Sequence, residues 1–339
     1  MRLTGGLRPT ARARPAGRLE SMPEAPLAER LVAGETRALA RAIRMVEDRD
    51  PRIASLLREL RGHTGKAQVI GVTGPPGSGK STLCDQIIER WRAAGHLVGV
   101  IAVDPSSPFT GGAILGDRVR MVRHTLDPGV FIRSMAARGH LGGLAAAARE
   151  AIRLVDASGR DRCLLETVGV GQSELEVMET ADTTVVVTTP ASGDAVQIIK
   201  AGILEIADIF VVNKADLPGA SKVVRDLKEL VRHGARRNDW SPPVLTTVAE
   251  SGEGVDELVA AIDRHGDTIA ASGELERRRI ARLRAEVEAI VVERAAERAR
   301  IALHEGTMSR ELAGDLSRVD PYALAERILN GHSREPRKQ

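Results

Sequence analysis

Nine consecutive residues constrain this chain more than any other feature: Gly74, Pro75, Pro76, Gly77, Ser78, Gly79, Lys80, Ser81 and Thr82. They fit the spacing G-x-x-x-x-G-K-[ST] and follow the short apolar run Gln68–Thr73. They also open a stretch, Ser81–Ala94, that reads as helix. The glycines let the backbone curl so that its N–H groups converge on phosphate oxygens. The helix N-terminus adds about half a positive charge at the same point. In such a loop Lys80 reaches the β- and γ-phosphates and the Ser81 hydroxyl reaches Mg²⁺. A strand, a tight turn and a helix must therefore follow one another here.

The rest of the chain repeats that alternation. Val/Ile-rich runs occur at Val69–Thr73, Leu97–Val103, Val130–Arg133, Cys163–Glu166, Thr183–Thr189, Ile209–Val212 and Val244–Thr247. Several are apolar at successive positions, as strands covered on both faces are. Helical stretches such as Gly142–Val155 and Lys222–Arg232 lie between them. The expected fold is α/β, a doubly wound and mainly parallel sheet. Residues 26–62 read as an N-terminal helical segment, 63–270 as the nucleotide domain and 271–339 as a C-terminal helical arm. In that arm Ile280, Leu283, Val287 and Ile290 step 3, 4, 3, a seam suited either to packing on the chain's own domain or to a second copy.

Composition removes other classes. The pI near 9.1 comes from five arginines in the first nineteen residues. Without them 44 basic residues face 46 acidic ones, so no groove-sized basic patch for nucleic acid is expected. Three Phe, two Trp and one Tyr are too few for base-stacking platforms. No run of apolar residues is long enough to span a membrane. Residues 1–25 read as a disordered basic tail: an organellar targeting segment, a solvated tail, or sequence upstream of a true start at Met22. Cys84 and Cys163 are far apart, so neither a disulfide scaffold nor a cysteine-ligated metal site is expected. That reduced-type usage points to the cytoplasm, with the mitochondrial matrix as the alternative.

Three further motifs specify the chemistry. Asn213, Lys214 and Asp216 form N-K-x-D after a strand, the pattern by which GTPases read guanine. The Asp216 carboxylate accepts two hydrogen bonds from guanine N1–H and the 2-amino group, a donor pair adenine lacks. Asn213 would brace the loop and the Lys214 stem would cover the base. Val248, Ala249 and Glu250 sit where backbone N–H groups could meet guanine O6. Glu166 ends a buried strand and heads Glu166–Glu174, in which Gly169 would let backbone approach the γ-phosphate. Asp104 also ends a strand, and Asp117 follows a glycine-rich loop. Both are candidate magnesium or water-positioning carboxylates, although Asp117 could equally cap a helix.

Together these stretches resemble the MeaB/ArgK branch of the SIMIBI class of P-loop GTPases. The matching segments are 103–121, 134–143, 166–174, 193–202, 205–216 and 251–258, and the likeness covers residues 27–330. It implies GTP hydrolysis in the service of an adenosylcobalamin-dependent acyl-CoA mutase, most often methylmalonyl-CoA mutase. GTP would act as the switch that gates cofactor loading and protects or reactivates the mutase. It further implies a homodimer through the C-terminal arm, with Asp104, Asp117 and Glu166 on the magnesium side. Gln197 and Lys200 would lie in a further switch. The chain departs from the pattern at Pro190–Gly193, where the family has more glycine, and at Val248, where many GTPases have serine. Competing readings are an ArgK-type kinase acting on a transport binding protein and a nucleotide-sensing scaffold that does not hydrolyse.

Overall fold

The computed structural model describes residues 25–104, 122–136, 142–167, 177–192, 206–233, 240–305, 308, 312 and 319–330. Its centre is a sheet of seven strands, all parallel, in the order β3-β2-β4-β1-β5-β6-β7. The strands are β1 (Gln68–Thr73), β2 (Val98–Asp104), β3 (Val130–Ala136), β4 (Arg162–Thr167), β5 (Thr183–Thr188), β6 (Ile209–Asn213) and β7 (Val244–Thr247). The helices flanking them are α1 (Leu27–Val32), α2 (Thr36–Glu47), α3 (Ile53–Glu59), α4 (Lys80–Ala93), α5 (Gly142–Ala157), α6 (Ala220–His233) and α7 (Val255–Ala271). Beyond them run α8 (Glu274–Glu305) and the short α9 (Pro321–Leu329). The expected doubly wound, parallel fold is present.

The period-two geometry of a strand explains why both faces are covered. Val98 and Val100 point to one core with Ile70, Val72, Leu164, Val185 and Val187, closed by α4 and α7. Ile101 and Val103 point to the other, with Val69, Cys163 and Leu165. Phe210 and Val212 pack under α6. The second of these cores also holds Leu31, Leu39, Ile43, Val46, Leu56 and Leu60 from α1–α3 and the turn after them. The N-terminal helical segment is thus part of the same hydrophobic body as the sheet. Arg133 on β3 pairs with Glu47 on α2, joining the same two parts.

The N-terminal edge of the sheet is bolted to α8 by charge. Asp182, just before β5, accepts from the Val69 N–H at 3.1 Å and pairs with Arg279 and Arg282. Asp208, just before β6, accepts from the Thr184 N–H at 2.9 Å and pairs with Arg278 at 3.0 Å. His265 lies 3.3 Å from the same carboxylate. Burial alone would push the Asp208 carboxyl up. The hydrogen bonds from His265 and Arg278 outweigh that and hold it below the ordinary carboxylate range.

Candidate functional site

All the motif residues that are described converge on the C-terminal edge of the sheet, where parallel α/β sheets place ligands. β1 runs into the glycine loop. Gly74 adopts φ +148° because a Cβ there would lie 2.0 Å from the Val187 carbonyl oxygen of the neighbouring strand. Gly79, at φ +86°, starts α4, and a Cβ there would meet Asn213 Nδ2 at 2.3 Å. Gly74 and Gly79 are thus required by contacts with other strands as well as by the turn, whereas Gly77 meets nothing and is needed for its φ of +76° alone.

Lys80 is buried, and its Nζ donates to the carbonyls of Gly74 at 2.8 Å and Pro75 at 3.0 Å. The ammonium is held across the mouth of its own loop. Pro76 and Gly77 are exposed, Pro75 is half-buried and Ser78 is buried. Next along α4, Ser81 Oγ donates to Glu166 Oε1 at 2.6 Å, and both residues are buried. β4 lies beside β1, with Val72 opposite Glu166. That register places a hydroxyl and a carboxylate together, the hard oxygen donors that Mg²⁺ prefers. β2 lies on the other side of β4 and brings the backbone of Asp104 to the same edge. Asp117, Gly169, Gln197 and Lys200 lie outside the described residues.

Asn213, at the end of β6, ties three segments together. Its Nδ2 donates to the Ser78 carbonyl at 2.8 Å. Its Oδ1 accepts from the Thr247 hydroxyl at 3.0 Å and the Ala249 N–H at 3.1 Å. The glycine loop, the N-K-x-D loop and the loop after β7 therefore share one buried amide. Lys214 follows in the left-handed region, at φ +57°, and Asp216 is exposed, open to a base. The loop after β7, whose backbone N–H groups were expected near guanine O6, uses two of them internally. The Val248 N–H donates to Glu253 O at 3.0 Å and the Ala249 N–H to Asn213. Both amides are engaged within the protein, because the loop folds back through a Val248–Glu253 bridge and around the Asn213 amide. Thr82 and Glu250 flank the site, Thr82 half-buried and Glu250 exposed.

Sequence reasoning missed several supports. Thr167 donates to the Thr73 hydroxyl at 3.0 Å, stitching the ends of β4 and β1. Thr247 serves Asn213 in the same way, and both threonines end strands, which was the available signal. On α4, buried Asp85 lies 3.1 Å from His124 Nε2 and pairs with Arg123. This anchors the turn Val122–His124 to the helix that opens with Lys80. Burial pushes the His124 imidazole below its usual pKa, and the neighbouring Arg123 charge adds to this. Cys84 and Cys163 are both buried, and burial pushes the Cys163 thiol far up, as suits core residues. Among the described residues, no three His, Cys, Asp or Glu side chains cluster as a metal site, and no helix is long and apolar enough to cross a membrane.

A G-x-x-x-x-G-K-[ST] loop joined through one buried amide to an N-K-x-D loop narrows the comparison with known proteins. Residues 39–304 match the family described as methylmalonyl-CoA mutase-associated GTPase MeaB. The chain belongs to the MeaB family. A Pyrococcus horikoshii protein named as a GTPase is 48% identical over 308 residues, covering 89% of this chain and 96% of its own. The mouse methylmalonic aciduria type A homolog, mitochondrial, is 38% identical over 268 residues, 74% of this chain and 64% of that protein. The crystal structure of an LAO/AO transport system kinase superposes with a TM-score of 0.64 at 28% identity, covering 90% of this chain and 96% of that one. The MeaB-family chain is a P-loop GTPase that binds guanine nucleotide and hydrolyses GTP.

Proposed function

We propose that this GTPase attends an adenosylcobalamin-dependent acyl-CoA mutase, methylmalonyl-CoA mutase or a close relative. It gates loading of the cobalamin cofactor and protects or reactivates the mutase. The observation that carries this reading is the family match over residues 39–304, together with the guanine-reading loop held on the phosphate loop through Asn213. The mutase link follows the family's description and the mouse relative's name.

In this reading the loop Gly74–Thr82 cradles the phosphates. Lys80 exchanges the Gly74 and Pro75 carbonyls for β- and γ-phosphate oxygens, so its charge is already at the place of need. Asp216 accepts from the guanine edge, and the Lys214 stem covers the base. Ser81 and Glu166 would hold Mg²⁺, with Asp104 and Asp117 as further carboxylates on that side; the metal, when bound, supplies charge neutralisation on the phosphates. Ser81 then gives up its hydrogen bond to Glu166. Catalysis by such a site rests on positioning and electrostatics. Gly169 and Lys200 belong to the segments that would sense the γ-phosphate.

The C-terminal arm supplies the dimer. On α8, Ile280, Leu283, Val287, Ile290, Val291 and Ile301 are each 42% to 60% exposed, an apolar face that a second copy would cover. Two buried cysteines that form no disulfide suit the cytoplasm or the mitochondrial matrix.

The deciding experiment is mutase reactivation with GTP, a non-hydrolysable GTP analogue, or no nucleotide, with phosphate release measured in parallel. Reactivation that requires GTP, with turnover faster when mutase is present, is the expected result. Mutase that neither binds nor changes turnover would defeat the proposal. Reactivation supported equally by the analogue would make the protein a switch by binding alone. Labelled γ-phosphate recovered in protein instead of as inorganic phosphate would favour the kinase reading.

A further inference from the structure

At the N-terminal edge of the sheet, at the opposite end of β1 from the glycine loop, α5, α8 and the loop before β1 line an open cleft of about 260 Å³. A six-residue strand separates the two ends by roughly 20 Å, so the cleft is distinct from the nucleotide site. Four guanidinium groups line it, from Arg149, Arg153, Arg279 and Arg282, against three carboxylates, Asp156, Asp182 and Glu286.

Hydrogen bonds within the protein account for three of these cations, and beside the fourth, Arg149, stands the carboxylate of its chain neighbour Glu150. Arg279 donates to the Gly65 and Ala67 carbonyls and to Asp182. Arg282 donates to the Thr180 and Arg278 carbonyls and to Asp182. Arg153 is paired with Glu286 across the α5–α8 contact. Asp156 is spent on the backbone amides of Gly65, Lys66 and Ala67. Arg149 lies one turn before Arg153 on the same face of α5, and its Nε is buried with no hydrogen-bond partner. A buried guanidinium N–H left in this way costs free energy until an acceptor pairs with it.

We propose that the cleft is a binding site for a small oxyanion, a phosphate or carboxylate group held by Arg149. The group held is small because the space between the guanidinium groups, about 260 Å³, is below the ~300 Å³ of a pocket for a drug-sized molecule, and the rest of a larger ligand would lie in solvent. It is anionic because the lining carries one more cation than anions. It is oxygen-based because a guanidinium fork matches a planar carboxylate or a phosphate face. Ile152 and Val69 provide an apolar wall against which a short carbon chain on a carboxylate would lie.

The test is calorimetry on the full-length protein with its nucleotide site filled by a non-hydrolysable GTP analogue, so that the β- and γ-phosphate positions are taken. Inorganic phosphate and propionate are titrated separately. One saturable site per chain is expected for at least one of them at millimolar concentration. Arg149→Ala should weaken that binding at least tenfold while leaving GTP turnover unchanged; Arg149→Gln serves if the alanine variant does not fold. Saturation by phosphate alone assigns a phosphate ligand, and by propionate alone a carboxylate ligand. Absence of saturable binding by either, or equal binding in the Arg149 variant, overturns the proposal.

Discussion

Asn213→Ala is the sharpest perturbation of the site, because one amide serves three buried partners. Removing it orphans the Ser78 carbonyl, the Thr247 hydroxyl and the Ala249 N–H, which lie 2.8, 3.0 and 3.1 Å from it. Each buried group left without a partner costs about 1–3 kcal/mol. The Thr247 hydroxyl can rotate to another acceptor, and water can reach the loops, so the expected loss is about 3–5 kcal/mol. That is a large part of the ~5–15 kcal/mol by which domains are stable. Guanidinium chloride denaturation of the nucleotide-free protein measures it. GTP affinity should fall at least tenfold, about 1.4 kcal/mol, since the phosphate and base loops lose their common brace. Asn213→Asp should be no better, because it turns an oxygen towards the Ser78 carbonyl. A loss below about 1 kcal/mol with unchanged GTP affinity would refute the reasoning.

Three further outcomes follow from other contacts. Gly79→Ala places a Cβ 2.3 Å from Asn213 Nδ2 at φ +86°; filter binding should show at least a tenfold loss of GTP affinity, and retention would mean the brace is soft. Asp182→Ala leaves Arg282, Arg279 and the Val69 N–H without their shared carboxylate, and the folded protein should lose about 3 kcal/mol in denaturant titrations; an unchanged midpoint would show that α8 is held by other means. Burial, with Glu286 beside it, raises the Glu150 carboxyl from 4.5 to about 6. The folded protein then binds more protons than the unfolded chain between those values, so Glu150's contribution is fully present below pH 4.5 and is lost as pH rises through 6. Glu150→Gln should therefore stabilise the protein above pH 6 by up to about 2 kcal/mol; a pH-independent difference would remove the cause.

The sequence carried the site's primary elements because their signals are local. The glycine loop, N-K-x-D and the Glu166 strand end are each contiguous, and the strands at 183–188, 209–213 and 244–247 were visible as the apolar and β-branched runs Thr183–Thr189, Ile209–Val212 and Val244–Thr247. What joins them was only partly visible. That Asn213 would brace a loop could be read from its motif, but not that it reaches Ser78, 135 residues earlier. Nothing local in the sequence distinguishes the α8 arginines from helix-surface charges. Their partners, Asp182 and Asp208, lie 96 to 100 and 70 residues away. The burial of α1–α3 in the sheet's own core was hidden for the same reason. An amphipathic helix shows that it has a partner, not which one. The engagement of the Val248 and Ala249 amides depended on a fold-back that no residue type announces.

The central claim is that one chain edge grips guanosine triphosphate through the phosphate loop and Asp216 together. Calorimetry of GTP against ATP on the wild type and on Asp216→Asn tests it most directly. The account predicts saturable GTP binding with ATP at least a hundredfold weaker, about 2.8 kcal/mol, and a shift of the variant from guanine towards xanthine nucleotide. ATP bound as tightly as GTP, or a variant with unchanged base preference, would contradict it.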